Sequence, residues 1–255
     1  MRLALALLAV LVLCSPVLGE TVDLTFAPAE SVGLAYVGSL SLRVDTPNQG
    51  TIEVKTEMEY TLAIGKADAK GVPITITVDS VSSTAMGQPL PSAYAGKECK
   101  GLWDKHALLS EALTQLPARS AQGDQFPAML ITSQEFMLPA KEIEVGGTWK
   151  GEQENGPSLV EDPAQAETKK TWEGTLVSLK DGVATIEMEV QGKKSSGGSS
   201  LEIKGKFRLD FDTRTWTLLR STGVLDGTVH APNGDVKFQI PEMKIELKAE
   251  PKKEG

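Results

Sequence analysis

Nucleophilic, acid–base or soft-metal chemistry in this chain of 255 residues has few groups to work with. There are two cysteines, Cys14 and Cys99, and two histidines, His106 and His230. Cys99 and His106 lie close enough in sequence for a thiol and an imidazole to act as nucleophile and base. Such a dyad also needs an orienting third group and an oxyanion hole, and no local motif announces either. His106 therefore reads as a helix histidine with one hydrogen bond, and a hydrolase built on Cys99 and His106 ranks third among the functions considered. His230, beside a hairpin signal, reads as a solvent-facing strand residue. Asp210 and Asp212 share a strand face, but calcium takes about six or more oxygens and Asp-Phe-Asp-Thr-Arg offers too few. Glu152, Glu154, Glu161 and Asp162 fall in an aperiodic stretch and read as solvated charge. Zinc-ligand spacing, a phosphate-cradling glycine loop and a Gly-x-Ser-x-Gly elbow are all missing from the sequence. The expectation is a protein with no catalytic residues, no metal and no cofactor.

The N-terminus carries the clearest address. Arg2 precedes an apolar run from Leu3 to Leu13, followed by Pro16-Val-Leu-Gly19 and the polar Glu20. This is the layout of a secretory signal, with cleavage expected before Glu20 and residues 1–19 removed. The run is shorter than the roughly 20 residues a transmembrane helix needs, and no later stretch qualifies. A lipid-modified Cys14 is the weaker alternative, because Leu13 precedes it where such signals want a small residue. Formal charge is −8 and becomes −9 once Arg2 is lost. A sheet protein this acidic has no electrostatic reason to bind nucleic acid. Removing the signal leaves Cys99 alone, so the fold rests on its core rather than on a disulfide, and Cys99 reads as buried.

The elements that would position any site are strands. Ile52, Val54, Thr56, Met58, Tyr60, Leu62 and Ile64 alternate with Glu53, Lys55, Glu57, Glu59 and Thr61, a long strand with one wet and one dry face. Ile74, Ile76 and Val78 repeat the pattern, as do Ile186, Met188 and Val190, and Leu201, Ile203, Phe207, Leu209 and Phe211. The 3.6-residue period emerges in Leu102, His106, Leu109, Leu113 and Leu116, predicting one helix over residues 100–117 laid on the apolar face of the sheet. Met129 to Thr132 reads as a strand, residues 152–170 as a loop, Gly192 to Ser200 as a flexible tip, and Asn233-Gly234 as a two-residue hairpin turn. Tyr60 to Val78 matches Trp172 to Val190 in aromatic start, glycine turn and alternating exit. The fold class is thus mainly β: a curved antiparallel sheet, half-barrel or barrel-like, built of two similar halves. Those halves, 20–135 and 136–250, form one domain, with a disordered tail at 251–255.

Met58, Tyr60, Trp103, Met188 and Phe207 all point to the dry side in this scheme. If the helix leaves the interior unfilled, they line a pocket for an acyl chain or another hydrophobic ligand; otherwise they are packed core.

Between the halves lies Leu138-Pro-Ala-Lys-Glu-Ile-Glu-Val-Gly-Gly-Thr-Trp149. It resembles a mid-chain signature of secreted bacterial proteins of unknown function: a Leu-Pro start, alternating valines, then Gly-Asp-Thr-Trp, with Gly147 here in place of the aspartate. Later features of that pattern match Trp172, Gly182 and Phe211-Asp212. The resemblance implies location and architecture, and no activity. By layout alone the chain is also similar to the half-barrels of periplasmic lipoprotein carriers. Gly146-Gly147 reads as a strand break where the two halves of one sheet meet, with Trp149 anchoring the second half. The functional expectation is an exported, non-enzymatic protein of the cell envelope that binds a partner, such as an envelope protein, or a lipid-like apolar ligand. A solid-core interaction module is the alternative.

Overall fold

The computed structural model describes residues 20–46, 50–109, 124–132, 135–154, 167–196, 198–232 and 234–249. Its strands are β1 (Thr21–Asp23), β2 (Ser31–Thr46), β3 (Gly50–Ile64), β4 (Val72–Ala85), β5 (Gln88–Leu90), β6 (Glu98–Trp103), β7 (Glu142–Glu144), β8 (Thr148–Glu154), β9 (Glu167–Lys180), β10 (Val183–Ser196), β11 (Ser199–Asp212), β12 (Thr217–His230) and β13 (Val236–Ala249). One helix, α1 (Gln125–Thr132), lies among the described residues. The chain is mainly β, as the alternation predicts, and its large sheet is antiparallel and not closed into a barrel.

That sheet runs β5-β4-β3-β2-β13-β12-β11-β10-β9-β8, with β6 also paired to β4. Strands that pair are consecutive in sequence except for β6, which pairs with β4, and at a long-range seam, where β2 pairs with β13. The seam joins a meander of β2 to β6 to a second meander of β8 to β13. In β3 the alternation is carried through as written: Val54, Thr56, Met58, Tyr60, Leu62 and Ile64 are buried and the glutamates between them are exposed. The two hairpins matched in the sequence share more than their grammar. Tyr60 pairs across its hairpin with Val78, and Trp172 pairs across the other with Val190. The tight turn at Asp181-Gly182 has both central residues at positive φ, 54° and 81°, which is what a two-residue turn between right-twisted strands requires.

Several expectations are corrected. Residues 98–103 are strand β6, with Cys99 opposite Ile76 and Trp103 opposite Val72; residues 104–109 are turn and bridge, and 110–117 lie outside the described residues. Over 98–103 the strand prevails over the helical spacing because β4 offers Cys99, Gly101 and Trp103 an open edge at period two. The helix among the described residues is Gln125–Thr132, across the segment read as a strand, since a short apolar run does not distinguish the two. Leu130 of α1 lies over Gly38 of β2, where an added Cβ would stand 3.5 Å from its methyl groups.

Gly192 to Ser200 is no loose tip. β10 and β11 stay in register to Ser196 opposite Ser199, with Lys193 and Glu202 paired at 2.9 Å. Of the loop expected over 152–170, residues 152–154 belong to β8 and 167–170 to β9, while 155–166, with Glu161 and Asp162, lie outside the described residues. The link around Asn233-Gly234 is longer than two residues, with pairing resuming at Val229 opposite Val236; Asn233 itself lies outside the described residues.

Gly146-Gly147 is a junction of a different kind from the one expected. β7 pairs with β1 in a separate two-stranded sheet, while β8 joins the large sheet beside β9. The glycines therefore switch the chain between two sheets, and the halves meet at β2–β13. Residues 1–19, with the expected signal and Cys14, and the tail from 250 lie outside the described residues.

Candidate functional site

Cross-strand register sorts every strand residue of the large sheet onto one of two faces. The inner face carries the apolar residues and the outer face the charges. At the end of the sheet where β3 turns into β4, the inner face is sealed. Phe26, from the segment after β1, lies 5.4 Å from Trp103 between ring centroids and 6.5 Å from Trp216. Phe136 stands 5.5 Å from Trp103 and 4.8 Å edge-on from Phe211.

The segment carrying Phe136 is strapped to the turn after β6. Phe136 N donates to Ala107 O at 3.0 Å and Leu138 N to His106 O at 2.9 Å. His106 Nδ1 donates to Leu138 O at 2.7 Å. Trp149 Nε1 donates to Met137 O at 2.9 Å, tying β8 to the same segment. Aromatic pairs of this kind add about 0.5–1.5 kcal/mol each beyond the area they bury.

The opposite end of the inner face is different. One row of residues in mutual register crosses eight strands from β8 to β3: Gln153, Lys170, Gly192, Ile203, Gly227, Phe238, Val44 and Ile52. All eight are half-buried, whereas inner-face residues nearer the middle, such as Trp172, Val190, Ile240, Leu42 and Val54, are buried. The next row outward, Thr168, Lys194, Leu201, Val229 and Val236, is half-buried too.

Glycines shape this floor. A Cβ on Gly227 would sit 2.1 Å from the Phe238 ring, and one on Gly223 2.2 Å from Phe207. Each of these rings lies flat on the glycine opposite it rather than standing off the sheet, as Trp172 does on Gly151 and Trp149 on Gly174. The floor is therefore low, a strip or trough of half-buried residues beside the buried middle of the face.

The expected pocket residues fall in separate places. Met58 and Tyr60 sit on β3 near α1, with Tyr60 stacked on Tyr36 at 5.4 Å. Trp103 belongs to the aromatic plug. Met188 and Phe207 are cross-strand partners on β10 and β11. Met58, Tyr60, Trp103 and Met188 are buried, while Phe207 is half-buried and borders the trough.

Cys99 is fully buried, and burial, with the Glu98 charge second, pushes its thiol up to about 11. A nucleophilic thiol needs the opposite shift. Asp210 accepts from Thr185 Oγ1 at 2.8 Å, and Asp212 is engaged by Arg214 at 2.7 Å, which lowers its carboxyl below the usual range. The two carboxylates are thus drawn to different partners. His230 is half-exposed beside Asp235 at 3.0 Å.

Two open grooves lie on the outer face, of about 780 Å³ around Glu187, Lys206, Arg208 and Thr222 and about 440 Å³ around Lys150, Glu152 and Gln191. Many of their charges answer one another across strands: Lys206 to Glu189 at 2.6 Å, Arg208 to Glu187 at 3.2 Å, Lys150 to Glu173 at 3.1 Å. They suit water better than an apolar ligand.

What the sequence reading missed is the pair of half-buried inner-face rows and the lysine in each, Lys170 and Lys194. Counting by two from Trp172 back through Lys170 to Thr168, and from Val190 on through Gly192 to Lys194, would have placed them.

Neither a family model nor a curated protein matches the chain. Among solved structures the chain is similar to one described as lipid–protein interactions in lipovitellin, at TM-score 0.48 and 10% identity over 88% of this chain, which spans 26% of that one. It is also similar, more loosely, to DynF from the dynemicin biosynthesis pathway of Micromonospora chersina, at TM-score 0.27 and 7% identity over 93% of this chain and 88% of that one. At these scores neither likeness bears on the fold or the function of this chain.

Proposed function

We propose that the chain is an exported, non-enzymatic protein of the cell envelope that holds a lipid-like apolar ligand in the trough on the inner face of its sheet. The observation that carries this reading is the contrast between the two ends of that face, one sealed by five aromatic side chains and the other floored by half-buried Ile203, Phe238, Val44 and Ile52. Apolar surface left half-exposed along a glycine-floored row is a binding surface for a hydrophobic molecule. Met58, Tyr60, Trp103 and Met188 then serve as the rigid wall behind the ligand, and Phe207 as its inner boundary. Export rests on the Arg2 and Leu3–Leu13 signal layout, and the absence of an enzyme on the buried, protonated Cys99 and the scattered carboxylates.

Extraction of the purified protein with organic solvent, followed by mass spectrometry, tests the reading. Co-purifying lipid and displacement of an environment-sensitive apolar dye are expected; a lipid-free protein that gives no dye enhancement overturns it. A second reading, a solid-core interaction module, draws on the full burial of four of the five expected pocket residues. It gains if the dye result is negative while the protein melts cooperatively.

A further inference from the structure

The large sheet ends differently at its two sides. Beyond β4 the edge is divided between β6 and the three-residue β5, which contains Pro89. Short strands and proline keep an edge from pairing with another chain. Beyond β9 lies β8, Thr148–Glu154, seven residues without proline and in unbroken register with β9. Among the described residues no strand pairs with its other side. The phase of this edge is fixed at its start, where Leu176 N donates to Gly147 O at 3.1 Å. By the alternation of an antiparallel ladder, the backbone groups of Trp149, Gly151 and Gln153 then point at β9. Those of Thr148, Lys150, Glu152 and Glu154 point away from the sheet.

The same four residues are the exposed ones of β8, and three of them are charged. Lys150 answers Glu173 on β9 at 3.1 Å, and Glu152 and Glu154 share Lys169 at 3.4 and 3.2 Å. The Lys150 side chain is 73% exposed and that of Glu152 65%, so each has room for a second partner on the open side. A cation and an anion thus flank Gly151 on an edge whose outward hydrogen-bonding groups fall at those same residues.

We infer that β8 is a homodimer interface, pairing antiparallel with β8 of a second copy about a two-fold axis at Gly151. A two-fold contact presents the same patch on both subunits, so the patch must complement itself. With the axis at Gly151, Lys150 stands opposite the partner's Glu152, Glu152 opposite the partner's Lys150, and Thr148 opposite the partner's Glu154. An axis one residue either way keeps the hydrogen bonds but sets Lys150 against itself or Glu152 against itself. Like charges directly opposite destabilise a strand pair, so the charges that blunt this edge towards other strands select one register with its own copy. Glycine at the axis lets the closest pair of the ladder, about 4.5 Å between Cα atoms, meet without side chains. One strand pair is less than a standard interface, so the dimer is weak and forms with rising concentration.

Sedimentation equilibrium of the full purified chain, from micromolar to millimolar concentration, tests the dimer. Lys150→Glu and Glu152→Lys each set like charges opposite one another at both symmetry-related positions. Each should raise the dissociation constant about tenfold or more. Mixing the two variants restores opposite charges at both positions, so the mixture should associate at concentrations where neither variant does alone. Unchanged melting curves check that each variant is folded. In the unaltered protein, the amides of Lys150 and Glu152 should exchange more slowly with deuterium as concentration rises, while those of Trp149 and Gly151, already bonded to β9, should not change. A dimer that survives both charge reversals, or a mixture that associates no better than its components, overturns the assignment. So does a chain that stays monomeric throughout, which would leave the edge to a strand of a different protein.

Discussion

The two ends of the inner face are made from the same strands and treat their apolar side chains in opposite ways. At one end, side chains from outside the sheet, Phe26 and Phe136, close over Trp103, Phe211 and Trp216. At the other, the strands supply their own cover by laying Phe207 and Phe238 down on Gly223 and Gly227. Interdigitated rings make a wall and flattened rings make a floor. The difference lies in what stands opposite each aromatic residue: another ring at the first end, a glycine at the second.

That contrast can be broken at the sealed end first. Phe136→Ala removes the ring that touches Phe26, Trp103 and Phe211, and should cost about 3–5 kcal/mol, read as a fall in the denaturant midpoint. Gly227→Ala sets a methyl where the Phe238 ring lies and should cost about 1–3 kcal/mol by overpacking; because it lifts the ring, it should also weaken apolar-dye binding. Leu201→Ala trims a half-buried side chain at the open end and should cost about 1 kcal/mol, with a larger relative loss in dye affinity than in stability. If Phe136→Ala and Leu201→Ala prove equally costly, the two ends are packed alike.

A further effect is confined to alkaline pH and vanishes at neutrality. Burial raises Cys99 from 9.0 to about 11, so between those values the unfolded chain has lost the thiol proton and the folded one keeps it. Stability is therefore fully present below pH 9 and declines as pH rises toward 11. Cys99→Ala should flatten that decline in a pH series of unfolding curves.

The alternation of Ile52 to Ile64 and of Leu201 to Phe211 made the sheet legible, because one face of each strand is wet and the other dry. The helix was not legible. Leu102, His106 and Leu109 mimic a helical stripe, yet Cys99 and Trp103 are fixed by pairing with Ile76 and Val72, a tertiary contact that outweighs local period. Phe126 to Ile131 is apolar throughout and gives no period to read. The trough was hidden for another reason. Lys170 and Lys194 look like ordinary outward lysines until the register shows them in line with Gly192, Ile203 and Leu201, and Gly192 looked like the start of a loop. Glycine opposite a ring is a pairwise property across strands, which a single line of sequence does not display.

The seam between β2 and β13 has a kinetic consequence. Tyr36 meets Leu247 there, so the two meanders join through strands from opposite ends of the described chain. Every other pair in the large sheet is separated by a short stretch of sequence, whereas this pairing waits on a loop closure that spans almost all of the described residues. During synthesis β2 presents an unpaired edge until β13 has emerged, and such an edge invites pairing with another chain. Holding the chain unfolded until its last strand is available would spare it that exposure.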